Sequence, residues 1–405
     1  MHADLETVSA EPAPIAPAWG AVLSLALGVF GLVTAEFLPA SLLTPMAASL
    51  GVSEGLAGQA VTATSAVAMV TSLLISSATR RVDRRWVLIA FSVLLIVSNL
   101  TVAHAPGLTA VLVGRVLLGM ALGGFWSMAA AIAMRLVPEA LIPRALSIMF
   151  SGVSLATIAA APLGSYFGHL LGWRQVFMLA TWLSVAVLVW QWVALPRMPP
   201  RSSASLGSLL GVMRRPGMAG GMIACLLVFT GHFAFFTYLR PFLENVTGVG
   251  VNALSGILLA FGVANFVGTS LAGLALERNL RATLLAMPLL MALIGIGLLL
   301  GHASITHTVL VALWGMAFGA VPVAWTTWIT RTVPDEAESG GGLIVAAVQL
   351  AITLGAAAGG AVYDRGGAPA VVAASAAALV AAVFIIVTGV RLRPASDVAI
   401  ETRRE

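Results

Sequence analysis

Charge is what this chain most lacks. Only 9% of its 405 residues are charged and 60% are hydrophobic, whereas an ordinary soluble domain is roughly 25% charged. A larger core does not explain the deficit, because a globule of this length still needs a wetted surface. The composition therefore excludes a water-soluble fold and points to lipid as the surrounding solvent. Lysine is absent altogether, so all 21 basic residues are arginine. The single cysteine, Cys225, excludes an intrachain disulfide and leaves the redox compartment unread. No metal-ligand cluster, phosphate loop or Ser/His/Asp set is recognisable, and the polar segments are too short for a soluble domain. The sequence thus reads as a non-enzyme without a cofactor. GIGLLLG at 295–301 has the wrong spacing for a nucleotide fold and follows no strand.

What is present is a series of apolar runs. A helix needs ~20 apolar residues to cross ~30 Å of hydrocarbon, and it satisfies its own backbone there. Twelve such runs are read at 18–44, 55–76, 86–104, 107–133, 145–169, 175–195, 217–239, 252–275, 282–301, 306–329, 340–362 and 369–390. The fold class is an all-α membrane protein.

The arginines set the orientation. With the N-terminus inside, seventeen fall in loops assigned to the cytoplasm and in the C-terminal tail. Three (Arg174, Arg240 and Arg365) fall on the other side, and Arg115 lies within a run. That is the positive-inside bias. It favours an even span count with both termini in the cytoplasm. The basic charge then meets a lipid bilayer rather than nucleic acid. Residues 1–17, acidic and Pro-rich, lack the basic start of a signal peptide and read as a cytoplasmic tail.

The chain repeats itself. LGMALGGFW (118–126) matches WGMAFGAVP (314–322) at an offset of 196. RLVPEA (135–140) and RTVPDEA (331–337) align at that offset apart from one inserted residue, and two further loops nearly do. The expected organisation is a half at 18–195, a cytoplasmic central loop at 196–216, a second half at 217–390 and a tail at 391–405. Two parallel six-helix halves are a transporter arrangement, with the substrate site between them.

Several motifs now resemble the major facilitator superfamily. SSATRRVDRRWVL (76–88) is similar to its loop 2–3 motif, matching at Arg81, Arg84, Arg85 and Leu88. The family's acidic position is Arg80 here, and Asp83 stands where the second glycine belongs. The resemblance implies a charge latch, with Asp83 pairing a neighbouring arginine; a simple topogenic cluster is the alternative. LVGRVLLGMALGG (112–124) resembles the motif with an intramembrane arginine, here Arg115, followed by Gly119. GVSLATIAAAPLGSYFG (152–168) resembles the antiporter motif at Pro162 and Gly164, with Ala161 in place of a glycine. EFLPASLLTPMAASLGVSEGLAGQAVT (36–62), GHFAFFTYLRP (231–241) and VPVAWTTWITR (321–331) look like the purine-nucleoside exporters of the drug-and-sugar-exporter branch. The resemblance implies proton-coupled antiport exporting nucleosides such as inosine and guanosine, by a monomer. Drug or sugar efflux is the alternative.

Between Glu11 and Glu54 the only ionisable side chain is Glu36. A carboxylate whose proton affinity changes with hydration suits proton exchange, and Arg115 is its candidate partner. Taking Pro45 as the outer end of the first helix puts Glu36 ~13 Å deep. The alternative is an interfacial residue at the end of a shorter helix, 16–35, stopped near Pro39. Purines stack on aromatic faces and ribose offers hydroxyls, so the candidate binding residues are Gln59, Thr62, Trp126, His232, Phe236, Tyr238, Asn265, Trp325, Trp328 and Gln349. Tyr238 and Trp328 also fit interface anchors, and lone amides also fit bridges between helices. His232 is open between binding substrate, carrying a proton and packing neutral.

Overall fold

The computed structural model describes residues 17–138, 141–199, 211–301, 303–333 and 337–389. Most of the N-terminal tail, the middle of the central loop (200–210) and the C-terminal tail lie outside the described residues. Helices run over α1 Trp19–Ser41, α2 Leu43–Leu50, α3 Glu54–Ala78, α4 Arg84–Ala103, α5 Leu108–Arg135, α6 Ile142–Leu171 and α7 Trp173–Ala194. The second half continues with α8 Met218–Thr237, α9 Leu239–Asn245, α10 Val251–Leu300, α11 Ser304–Thr332 and α12 Ala337–Gly389.

The two longest helices each hold two crossings. The 53 residues of α12 would run ~80 Å if straight, at 1.5 Å per residue. They do not, because Gly367 adopts φ 69° and ψ −172°. Only glycine enters that region without strain, and Pro369 follows two residues later. In α10 the break is Asn279, at φ −163° and ψ 103°. Its side-chain oxygen accepts from the Ala282 N–H at 3.0 Å, so it caps the second limb. Among the described residues, eleven helical segments are long and apolar enough to cross a membrane, the two limbs of α10 counted separately, and the bend at Gly367 divides the last of them. Twelve spans result, in two groups of six.

The offset of 196 extends to the backbone. The first span breaks at Leu42, φ −112° and ψ 10°. The seventh breaks at Tyr238, φ −107° and ψ 15°. After each break a short helix carries proline as its third residue, Pro45 in α2 and Pro241 in α9. Proline costs nothing there, because first-turn N–H groups have no helical partner. The close crossings repeat as well. A Cβ at Gly119 or Gly123 would strike the α3 backbone, and one at Gly315 or Gly319 would strike the α10 backbone. Small residues let these helices touch where hydrocarbon offers no hydrophobic drive for association.

The break at Leu42 corrects the position expected for the end of the first helix. Pro45 belongs to α2, not to the helix end, so Glu36 sits six residues, or ~9 Å, from the break. The shorter helix ending at residue 35 does not form: α1 passes through Glu36 and Pro39 to Ser41.

The halves meet along two main seams, α3 against the first limb of α12 and α6 against the first limb of α10. In the second seam, a Cβ at Gly262 would strike the backbone at Thr157 and Ile158. In the first, the Asp364 carboxylate accepts from Ser53 Oγ at 3.1 Å and from the Gly55 N–H at 3.2 Å. It thereby caps α3 from the opposite half, at the end of the helix that favours negative charge. The Tyr363 hydroxyl donates to the Glu54 carboxylate. Arg240 Nη1 donates to Ser41 O at 2.5 Å while its Nε donates to Glu244 at 2.8 Å. Tyr238 Oη donates to Ala356 O at 3.1 Å and lies 3.4 Å from Gly55 O. All of these lie at the end carrying the α1–α3 connection.

Candidate functional site

Pro39 has no N–H, so the carbonyl of Ala35 loses its donor within α1. Arg115 supplies one: its Nη1 donates to Ala35 O at 2.8 Å and its Nη2 to Glu36 O at 3.3 Å. Its Nε donates to Thr64 Oγ1 at 2.8 Å and to Ala60 O at 3.2 Å. Arg115 is fully buried and ties α1, α3 and α5 together. The expected partnership with Glu36 thus takes a different form. The guanidinium grips the backbone at Glu36, and no ion-pair contact joins it to the carboxylate, although the two charges act on each other through space.

The Glu36 side chain is 9% exposed and lines a narrow cavity of about 10 Å³ between the halves. The first half also contributes Phe37, Ala40 and Val61, and the second Phe233, Phe236, Thr237 and Ile352. Phe37 meets Phe236 edge to face across the gap, centroids 5.4 Å apart. Glu36 accepts no hydrogen bond from any described residue. A buried polar group is ordinarily satisfied, so this carboxylate is available to a ligand or a proton.

In the second half His232 occupies the matching place, at the same offset of 196. It is 2% exposed. Its Nδ1 accepts from Trp314 Nε1 at 3.1 Å, which leaves the ring proton on Nε2. Phe318 stacks on it with centroids 3.3 Å apart and planes 2° apart, and Phe236 and Phe261 flank it. Of the three readings of His232, packing is the one this geometry serves.

The other candidates divide. Phe236 faces the cavity. The Thr62 hydroxyl and the Gln349 Oε1 are buried without a partner. Gln59 reaches Gly55 O at 3.5 Å and lies at the α3–α12 seam. Five candidates make other contacts. Trp126 stacks on Phe150 inside the first half, centroids 6.0 Å apart. Asn265 bridges α10 to α11 through Gly315 O at 3.2 Å. Trp325 packs fully buried against Trp328, so Trp328 is no interface anchor. Tyr238 is likewise buried in the seam, stacked on Tyr363 at 5.2 Å.

The loop 2–3 residues form no charge latch among the described residues. Asp83 accepts backbone N–H groups instead, from Arg85 at 2.9 Å and from Met198 at 3.0 Å. Arg84 donates to Thr79 Oγ1 at 2.7 Å and Arg85 to Trp192 O at 2.7 Å. These bonds stay within the first half and the start of the central stretch. Pro162 lies inside α6, and Gly164 lets α6 close on the α1 break, where a Cβ would meet Ser41 and Leu38.

Sequence reasoning missed Glu54, Tyr363, Asp364 and Thr237. Applying the offset to Leu42 would have located the second break. The partners of Asp364 lie over three hundred residues away and leave no local signal.

Two six-helix bundles closing over a buried carboxylate define a membrane transporter, not an enzyme. A family model for the Major Facilitator Superfamily matches residues 25–356. The chain belongs to that superfamily and is a multi-pass membrane protein. It is 47% identical over 341 residues to the purine ribonucleoside efflux pump NepI of Salmonella enteritidis, covering 84% of this chain and 86% of that one. The Escherichia coli pump of the same name is 48% identical over equal shares. Among solved structures, a D-xylose–proton symporter superposes with a TM-score of 0.74 at 17% identity, covering 93% of this chain and 98% of that one. A bacterial homologue of the human lysosomal transporter Spinster, inward-facing and occupied, gives 0.69 at 17% identity, covering 91% and 94%. At these identities the structural likeness shows the fold alone.

Proposed function

We propose that this chain is an inner-membrane, proton-coupled antiporter that exports purine ribonucleosides by alternating access. The observation that carries the reading is the unpartnered Glu36 carboxylate in a cavity walled by aromatic rings from both halves, in a chain nearly half identical to pumps named for that substrate. Aromatic walls suit a purine face. The arginine distribution favours the Arg-rich loops inside, which would turn the closed seam outward. Substrate then loads from the cytoplasm. After the halves rock, Glu36 takes a proton from outside and carries it in, while Arg115 holds the helix carrying Glu36 in register.

The test is efflux of radiolabelled inosine from loaded vesicles under an imposed proton gradient. Efflux that follows the gradient and collapses in Glu36→Gln supports the reading. Gradient-independent efflux, or full activity in Glu36→Gln, would sink the coupling. A drug or sugar that competes better than inosine would sink the substrate.

A further inference from the structure

The polar groups of the cavity are of one kind. Thr237 Oγ1 already donates to Phe233 O at 2.6 Å, so towards a ligand it can only accept. Ionised Glu36 can only accept. The Arg115 donors are turned away, onto Ala35, Glu36, Ala60 and Thr64. The remaining walls are Phe37, Phe233, Phe236 and aliphatic side chains. A ligand held here presents flat apolar faces and donates from an edge.

We propose that Glu36 is the base-reading residue: its carboxylate accepts the N1–H of a 6-oxopurine, and the exocyclic amino group of guanine as well, while the ring lies against the phenylalanines. This inference rests on the purine-export reading and adds a specificity to it. Hypoxanthine and guanine both carry a proton on N1. Adenine presents a lone pair there and would set it against the carboxylate. A site built to accept an N–H rejects analogues that lack it far more strongly than an apolar pocket rejects a change of size, and the bond is charge-assisted.

The experiment uses the full chain in detergent and measures equilibrium binding of radiolabelled inosine. Competitors are unlabelled inosine, guanosine, 1-methylinosine (which has no N1–H) and adenosine. Guanosine is expected to compete at least as well as inosine, with 1-methylinosine and adenosine weaker by roughly ten-fold or more. Glu36→Gln offers an amide donor beside its acceptor, so the inosine-to-adenosine ratio should fall at least several-fold or invert. Glu36→Asp should keep the original order. Adenosine or 1-methylinosine competing within about two-fold of inosine, or an unchanged ratio in Glu36→Gln, overturns the inference while leaving purine export standing. If inosine itself does not bind, the export reading falls and this inference falls with it.

Discussion

Residue 36 of the first half and residue 232 of the second occupy matching places, each six residues before the break in its half's opening span. The first half puts a carboxylate there, open to the cavity, with a buried arginine behind its backbone. The second puts an imidazole there, hydrogen-bonded to Trp314 and stacked on Phe318. One fold position thus carries an unpartnered carboxylate in one half and a packed ring in the other. On the proposed function the halves need not divide the work equally, because a charge in hydrocarbon is costly and one exchange site would be enough. Each prediction below breaks or sharpens that asymmetry.

The largest effect should come from Arg115→Ala. It strips donors from Ala35 O, Glu36 O and Ala60 O at once and leaves Glu36 without its nearby cation. Removing one member of such a buried charged set costs about 3–5 kcal/mol. The protein should unfold at a clearly lower temperature in detergent, or fail to accumulate in membranes. Wild-type thermal stability in Arg115→Ala would show that the arginine is not the staple described here. The matching position in the second half is Val311, so no counterpart exists to compensate.

Next is Glu36→Gln, which keeps the shape of the side chain but cannot exchange a proton. Gradient-driven efflux should fall at least ten-fold, while the protein still folds and accumulates in membranes. His232→Phe is the paired experiment. Phenylalanine can take the same stack on Phe318 but leaves the buried Trp314 N–H without an acceptor, a cost of about 1–3 kcal/mol. Driven efflux should stay within about three-fold of wild type. If His232→Phe abolishes coupling and Glu36→Gln does not, the roles of the halves are reversed.

The architecture was legible in the sequence because hydrocarbon forces it. Span length, the arginine bias and the 196-residue repeat each report a constraint that every crossing obeys. Glu36 was legible for the same reason, as a lone charge in an apolar run. The aromatic candidates were harder to place. Trp126, Trp325 and Tyr238 have the same composition signal as a binding wall, yet each is consumed by a neighbour: Phe150, Trp328 and Tyr363. Whether a ring faces a cavity or another ring depends on which helices adjoin, and apolar runs without strong amphipathic faces do not encode that. Asp83 teaches the same lesson. A motif match suggested an arginine partner, whereas geometry gave it two backbone N–H groups.

The smallest effect concerns how the halves stay shut at the end away from the arginine loops. Asp364 caps the start of α3, and Tyr363 bonds Glu54 in its first turn. These contacts join the halves directly, so weakening them should shift the population between closed and open rather than unfold either bundle. Each is worth about 0.5–1.5 kcal/mol net at these partly exposed positions. Asp364→Asn and Tyr363→Phe should therefore raise opening by roughly two- to ten-fold each. Ala40, on the cavity wall, can report this as Ala40→Cys, because the one native thiol, Cys225, is fully buried in α8. Labelling by a membrane-impermeant maleimide added outside intact cells should speed up in both variants, and most in the double variant. Unchanged labelling would mean that the packing of α3 on α12 and of α6 on α10 closes the seam without these bonds.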